Sequence, residues 1–119
     1  MVDFSKPSVW GKSDCIAWVL GPDAPRPDCL VNASSERRGL KLAVIKHGSL
    51  RKATLHHLRA AGYEPVTDGS LLVGDRVEYN SKLGYYTVAV ITEGFEPMER
   101  SPFGLKVVHG WVLGTWRKK

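Results

Sequence analysis

The chain has 119 residues, enough for one domain around a single core and little more. Hydrophobic residues make up 43% and charged residues 24%, values of an ordinary globular chain that exclude a disordered or low-complexity one. No apolar run approaches the ~20 residues of a membrane span, and Met1 to Trp10 lacks the basic head and apolar stretch of a signal peptide. The 17 Lys+Arg against 12 Asp+Glu give a formal +5. These charges are scattered apart from Glu36-Arg37-Arg38 and the tail Arg117-Lys118-Lys119, so a mildly basic solvated surface is expected rather than a nucleic-acid interface.

In chain order, a first short helix is expected from Ser13 or Asp14 to Leu20. Either residue can cap the free amides of the first turn, and Gly21-Pro22 stops the helix. Residues 21–35 hold three of the seven prolines and read as a loop. A second helix is expected over Arg38 to Lys46, ended by His47-Gly48. A third runs from Leu50 to Ala61, capped by Ser49 and closed by Gly62, with apolar residues at helical spacing. The adjacent second and third helices do not fit a helix-turn-helix, because base-reading polar residues and a basic cluster at one helix start are missing.

From Leu71 the pattern changes to strands. Leu71 to Val73 leads into a Gly74-Asp75 turn, and Arg76 to Tyr79 alternates polar and apolar. Residues 80–84 form a hairpin loop before the β-rich Tyr85 to Thr92. Residues 93–104, with Pro97 and Pro102, read as a loop, followed by strands Leu105 to His109 and Trp111 to Trp116. Helices first and an antiparallel sheet afterwards is an α+β arrangement. Its helical part is 1–62 and its strands lie within 71–116, in one domain spanning 1–119.

Two cysteines are too few for a disulfide framework, and no CxxC pair points to zinc, so no metal or cofactor is expected. Cys15 leads into an apolar helix. Cys29 follows the Pro-rich stretch and reads as structural or incidental. A thiol at a helix head lies in the positive end of the helix dipole, which favours the nucleophilic thiolate. A strand beside it would have to present a His to take the proton, and a third polar group would orient that His.

Val9-Trp10-Gly11-Lys12-Ser13-Asp14-Cys15 resembles the W-G-x-x-D-C opening of small NlpC/P60-like proteins of phage tail gene clusters, which have a papain-like cysteine peptidase fold. The resemblance continues through residues 39–48, Gly74-Asp75-Arg76-Val77, the strand Thr87 to Ile91, residues 104–108 and Gly114-Thr115-Trp116-Arg117. It implies Cys15 as nucleophile; Trp10, Asp14 and Trp18 are read beside it as candidate substrate-binding residues. It also implies a His at the opening of the next strand after the one that the Gly-Asp turn leads into. Thr87 stands there instead, and Thr is no general base near pH 7. The third polar position falls between Glu96 and Glu99. Among the remaining histidines, His109 on a late strand is the candidate substitute base, whereas His56 and His57 on the third helix are read as surface positions.

The expectation is therefore a component of a phage tail tip or baseplate, carried in the virion, with an NlpC/P60-like fold and a degraded site. Other tail-tip or hub proteins are its partners, contacted through the loops at 21–35 and 93–104. The alternative is an active peptidase or amidase that cuts peptidoglycan peptides during entry. An SH3-like or nucleic-acid-binding module is a third reading, and it leaves Trp10 to Cys15 unexplained.

Overall fold

The computed structural model describes residues 4–10, 14–21, 24 and 35–119. Cys29 and most of the Pro-rich loop lie outside these residues. Among them are three helices and six strands, α1 (Cys15–Leu20), α2 (Glu36–His47), α3 (Leu50–Ala60), β1 (Tyr63–Pro65), β2 (Arg76–Ser81), β3 (Tyr86–Ile91), β4 (Pro97–Ser101), β5 (Gly104–Val107) and β6 (Gly110–Lys118). The strands make one sheet in the order β1-β6-β2-β3-β4-β5, antiparallel throughout. The chain is thus helix plus antiparallel sheet, and no helix among the described residues is long and apolar enough to cross a membrane.

The helices start and stop where local chemistry dictates. Asp14 Oδ1 accepts the Ala17 amide at 3.0 Å, Ser35 Oγ accepts that of Arg38 at 3.3 Å, and Ser49 Oγ accepts that of Lys52 at 3.1 Å. Each supplies a partner for an amide that the first turn leaves without one. Gly48, at φ 94, ends α2 in the left-handed region that glycine enters without a Cβ penalty. The core on the helix side of the sheet gathers Ile16, Leu20, Ala43, Ala53, Leu58, Tyr63 and Trp116.

Several expectations need correction. Leu71 to Val73 forms a turn and exposed chain, not a strand, because Leu72 N bonds to Asp75 Oδ2 and Asp75 N to the Leu72 carbonyl. Residues 93–104 are not one loop. They contain β4, which pairs with β3 and β5, and only short turns at 93–96 and 102–103 remain as connections. Pro97 fits because it opens the strand, where a missing amide costs little. The basic tail belongs to the sheet. Arg117 binds both Asp75 carboxylate oxygens at 2.8 Å, and Lys119 Nζ lies 2.8 Å from Glu64.

The buried Asp75 has a consequence for acid stability. The Arg117 guanidinium, helped by the Leu72 amide, holds its carboxyl below the ordinary value against the opposing effect of burial. A lowered carboxyl pKa adds stability above the unfolded value of about 3.9, which is lost as pH falls through the folded value. Acid unfolding followed by circular dichroism should therefore show this contribution disappearing below about pH 4. Asp75→Asn should lower stability at pH 7 and flatten the acid limb. An unchanged acid limb in Asp75→Asn contradicts the assignment.

Candidate functional site

Cys15 is the first residue of α1, and two tethers fix that short helix on the sheet. Trp18 Nε1 donates to the Met98 carbonyl at 2.9 Å, and Arg76 Nε donates to the Val19 carbonyl at 2.7 Å. The Trp18 ring meets Phe4 edge-on, with centroids 5.0 Å apart. The half-buried Cys15 is thereby held at a cavity of about 260 Å³. Trp18, Val19 and Leu20 of α1, Leu40 and Ala43 of α2, and Leu50, Ala53, Thr54 and His57 of α3 form one side. Tyr85 to Val88 of the β3 region and Glu99 and Arg100 of β4 form the other.

The polar groups on the sheet side are engaged. Tyr85 Oη donates to Glu99, lying 2.8 and 3.0 Å from its two carboxylate oxygens, and Lys106 Nζ lies 3.7 Å from Oε1. Arg100 donates to the Lys6 carbonyl at 2.7 Å and holds the N-terminal segment against the sheet. Beneath the cavity, the buried Glu78 accepts from Trp116 Nε1 at 2.8 Å, Tyr86 Oη at 2.9 Å and Arg51 Nε at 2.9 Å. Burial first, and then the charge of Glu78, push the Tyr86 phenol far above its ordinary value, so it stays a neutral donor.

Thr87, where the resemblance places a base, does border the Cys15 cavity, as does Glu99 at the end of the range for the third polar group. Glu96 is exposed on the 93–96 turn. By cross-strand register Thr87 pairs with Tyr79, whereas its neighbours Tyr86 and Val88 pair on the face of Glu78. None of Cys15, Thr87 and Glu99 is an imidazole, the group that the resemblance requires to take the thiol proton.

The candidate base His109 is not in this cavity. It is exposed in the link between β5 and β6 and lines a separate groove with Lys82 and Lys106, and Tyr85 and Glu99 line both this groove and the Cys15 cavity. Strand membership suggested it, but it lies between β5 and β6, where its carbonyl accepts the Lys82 amide at 2.8 Å. The imidazole that borders the Cys15 cavity is His57, with its Nε2 buried. A signal for it was present in the sequence, since Leu50, Ala53 and His57 recur at helical spacing and all three line the cavity. The three substrate-cleft candidates fall in different places. Asp14 is fully buried as the α1 cap, Trp10 packs against the hydrophobic core, and of the three only Trp18 lines the cavity.

The site is thus a half-buried thiol in a mostly apolar cavity between three helices and an antiparallel sheet, with one imidazole on the helical wall. No family model, curated protein or solved structure matches the chain.

Proposed function

We propose that the chain is a component of a phage tail tip or baseplate, built on an NlpC/P60-like arrangement whose catalytic site no longer has its strand-borne base. The observation that carries this reading is the cavity that joins Cys15, Thr87 and Glu99. These three follow the chain order in which the resemblance places nucleophile, base and orienting group, with Thr87 at the position of the base. Exposed apolar side chains support an assembly role. Leu83 and Trp111 lie at one end of the sheet, where Asn80 pairs with Trp111 and Ser81 with Gly110. Apolar surface of this kind is suited to burial against another tail protein. Mass spectrometry of purified particles of the phage that encodes the chain tests the reading. The protein should be present in intact particles, and its confinement to the particle-free lysate contradicts the proposal.

One observation favours a second reading, an active cysteine peptidase or amidase acting on peptidoglycan peptides. His57 shares the cavity with Cys15 and supplies an imidazole from the helical wall. Under that reading purified peptidoglycan releases peptides in the presence of the protein, and both Cys15→Ala and His57→Gln abolish the release. Under the structural reading no variant differs from the blank.

A further inference from the structure

β5 stands last in the sheet order, so one side of it carries no neighbouring strand. The Val108 amide bonds to the Pro97 carbonyl at 2.8 Å, which sets the alternation of the β4–β5 ladder. By that alternation Gly104 and Lys106 turn their backbone groups toward β4, and Leu105 and Val107 turn theirs outward. The outward amides and carbonyls have no backbone partner among the described residues. The N-terminal segment closes the other end of the strand. Ser8 N bonds to the Pro102 carbonyl at 2.8 Å, and a Cβ on Gly104 would lie 3.2 Å from the Ser5 carbonyl oxygen.

The groove of about 470 Å³ that His109 lines adjoins this open edge, since Lys106 and Val107 of β5 line it too. Lys82, Leu83 and Tyr85 line it from the β2–β3 turn, and the Lys82 amide ties that turn to the His109 carbonyl. Lys82, Lys106 and His109 are exposed, and Lys82 and His109 make no ion pair among the described residues. The one acidic residue of the groove, Glu99, is buried and already engaged by Tyr85 and Lys106. We infer that the β5 edge and this groove form a docking site for an extended acidic segment of a partner protein, which joins the sheet as a strand beside β5.

Charge decides the occupant. A second copy would bring the same lysines on a chain of net charge +5, and lysine on an exposed edge opposes pairing of like strands. An acidic strand meets the reverse. Side chains alternate along β5, so Lys106 lies on one face and Leu105 and Val107 lie on the other. The segment that fits therefore alternates acidic residues, beside Lys106 and Lys82, with apolar residues beside Leu105 and Val107. Backbone bonds to the edge supply affinity and the alternating side chains supply selectivity. Leu83, 80% exposed, adds apolar surface to the groove. The inference names the chemistry of a segment that covers this face, and it does not rest on the chain belonging to a phage particle or on either reading of Cys15.

The test is fluorescence anisotropy of a labelled octapeptide of alternating glutamate and valine, titrated with the full chain at about 50 mM salt, where screening is weak. Saturable binding is expected, at least about tenfold weaker in Lys82→Glu, a reversal at an exposed side chain that leaves the core untouched. Binding should vanish when the backbone amides of the peptide are N-methylated, which removes the strand bonds and keeps the side chains. A peptide of alternating lysine and valine should not bind. In hydrogen exchange the Leu105 and Val107 amides should gain protection when the acidic peptide is present. No saturable binding of the acidic peptide, equal binding of the methylated or the lysine peptide, or equal binding in Lys82→Glu overturns the inference. Tighter binding of oligodeoxythymidine, lost in Lys82→Glu, overturns it as well by assigning the groove to nucleic acid.

Discussion

Glu78→Ala is expected to destabilise the protein by about 3–5 kcal/mol in urea unfolding. The carboxylate is 1% exposed and joins three elements by accepting from Trp116 of β6, Tyr86 of β3 and Arg51 of α3. Its removal leaves two largely buried donors without acceptors, at about 1–3 kcal/mol each, together with the space the side chain filled. The ion pair is the lesser part. Arg51 is 49% exposed, so Arg51→Ala should cost less than about 1 kcal/mol. Equal losses in Glu78→Ala and Arg51→Ala would contradict this division. The backbone is adapted to the same carboxylate. β6 carries a bulge opposite Glu78 and Tyr79, and a Cβ on Gly114 would lie 2.7 Å from Glu78 Oε2.

The second large effect is at Gly110, where β6 begins against the end of β2. A Cβ there would meet the Asn80 carbonyl oxygen and lie 2.7 Å from Ser81 Cα. Both are backbone atoms, which cannot turn aside as a side-chain tip can, so Gly110→Ala must part the two strands. A loss of about 3 kcal/mol is expected, at the upper end for overpacking. Gly94→Ala is the control, since its Cβ would meet only the Glu96 carboxylate at 3.7 Å. The Gly94 variant should unfold within about 0.5 kcal/mol of the unsubstituted protein, as surface changes usually do. A Gly110 variant equally close would mean that β2 and β6 do not approach as described.

The helical half was legible in the sequence because its signals are local. Ser49 caps α3, Gly48 closes α2, and the apolar spacing of α3 names the face that is buried. β4 was hidden for a physical reason. Two of its five residues, Glu99 and Arg100, are charged and yet buried. Tyr85 compensates one and backbone carbonyls of the N-terminal segment compensate the other, so the partners that permit burial lie far away in the chain. β1 has three residues and exists only through its pairing with β6. In the candidate site, the place of Cys15 at the head of an apolar helix was legible. His57 was legible only in part: it continues the helical spacing of Leu50 and Ala53, but two adjacent helical histidines look alike until the sheet shows which of them lines the cavity. Asp14 next to the thiol read as a functional group, but the first turn of α1 uses it as a cap.

Under the proposed function, Cys15 occupies an inherited nucleophile position without a working base. The rate at which iodoacetamide alkylates Cys15 as a function of pH, in the unsubstituted chain and in His57→Gln, tests it most directly. The account predicts a rate that keeps climbing past about pH 8, as for an ordinary thiol, with the same profile in both proteins. A plateau reached below about pH 6 that disappears in His57→Gln would reveal a thiolate–imidazolium pair and contradict it.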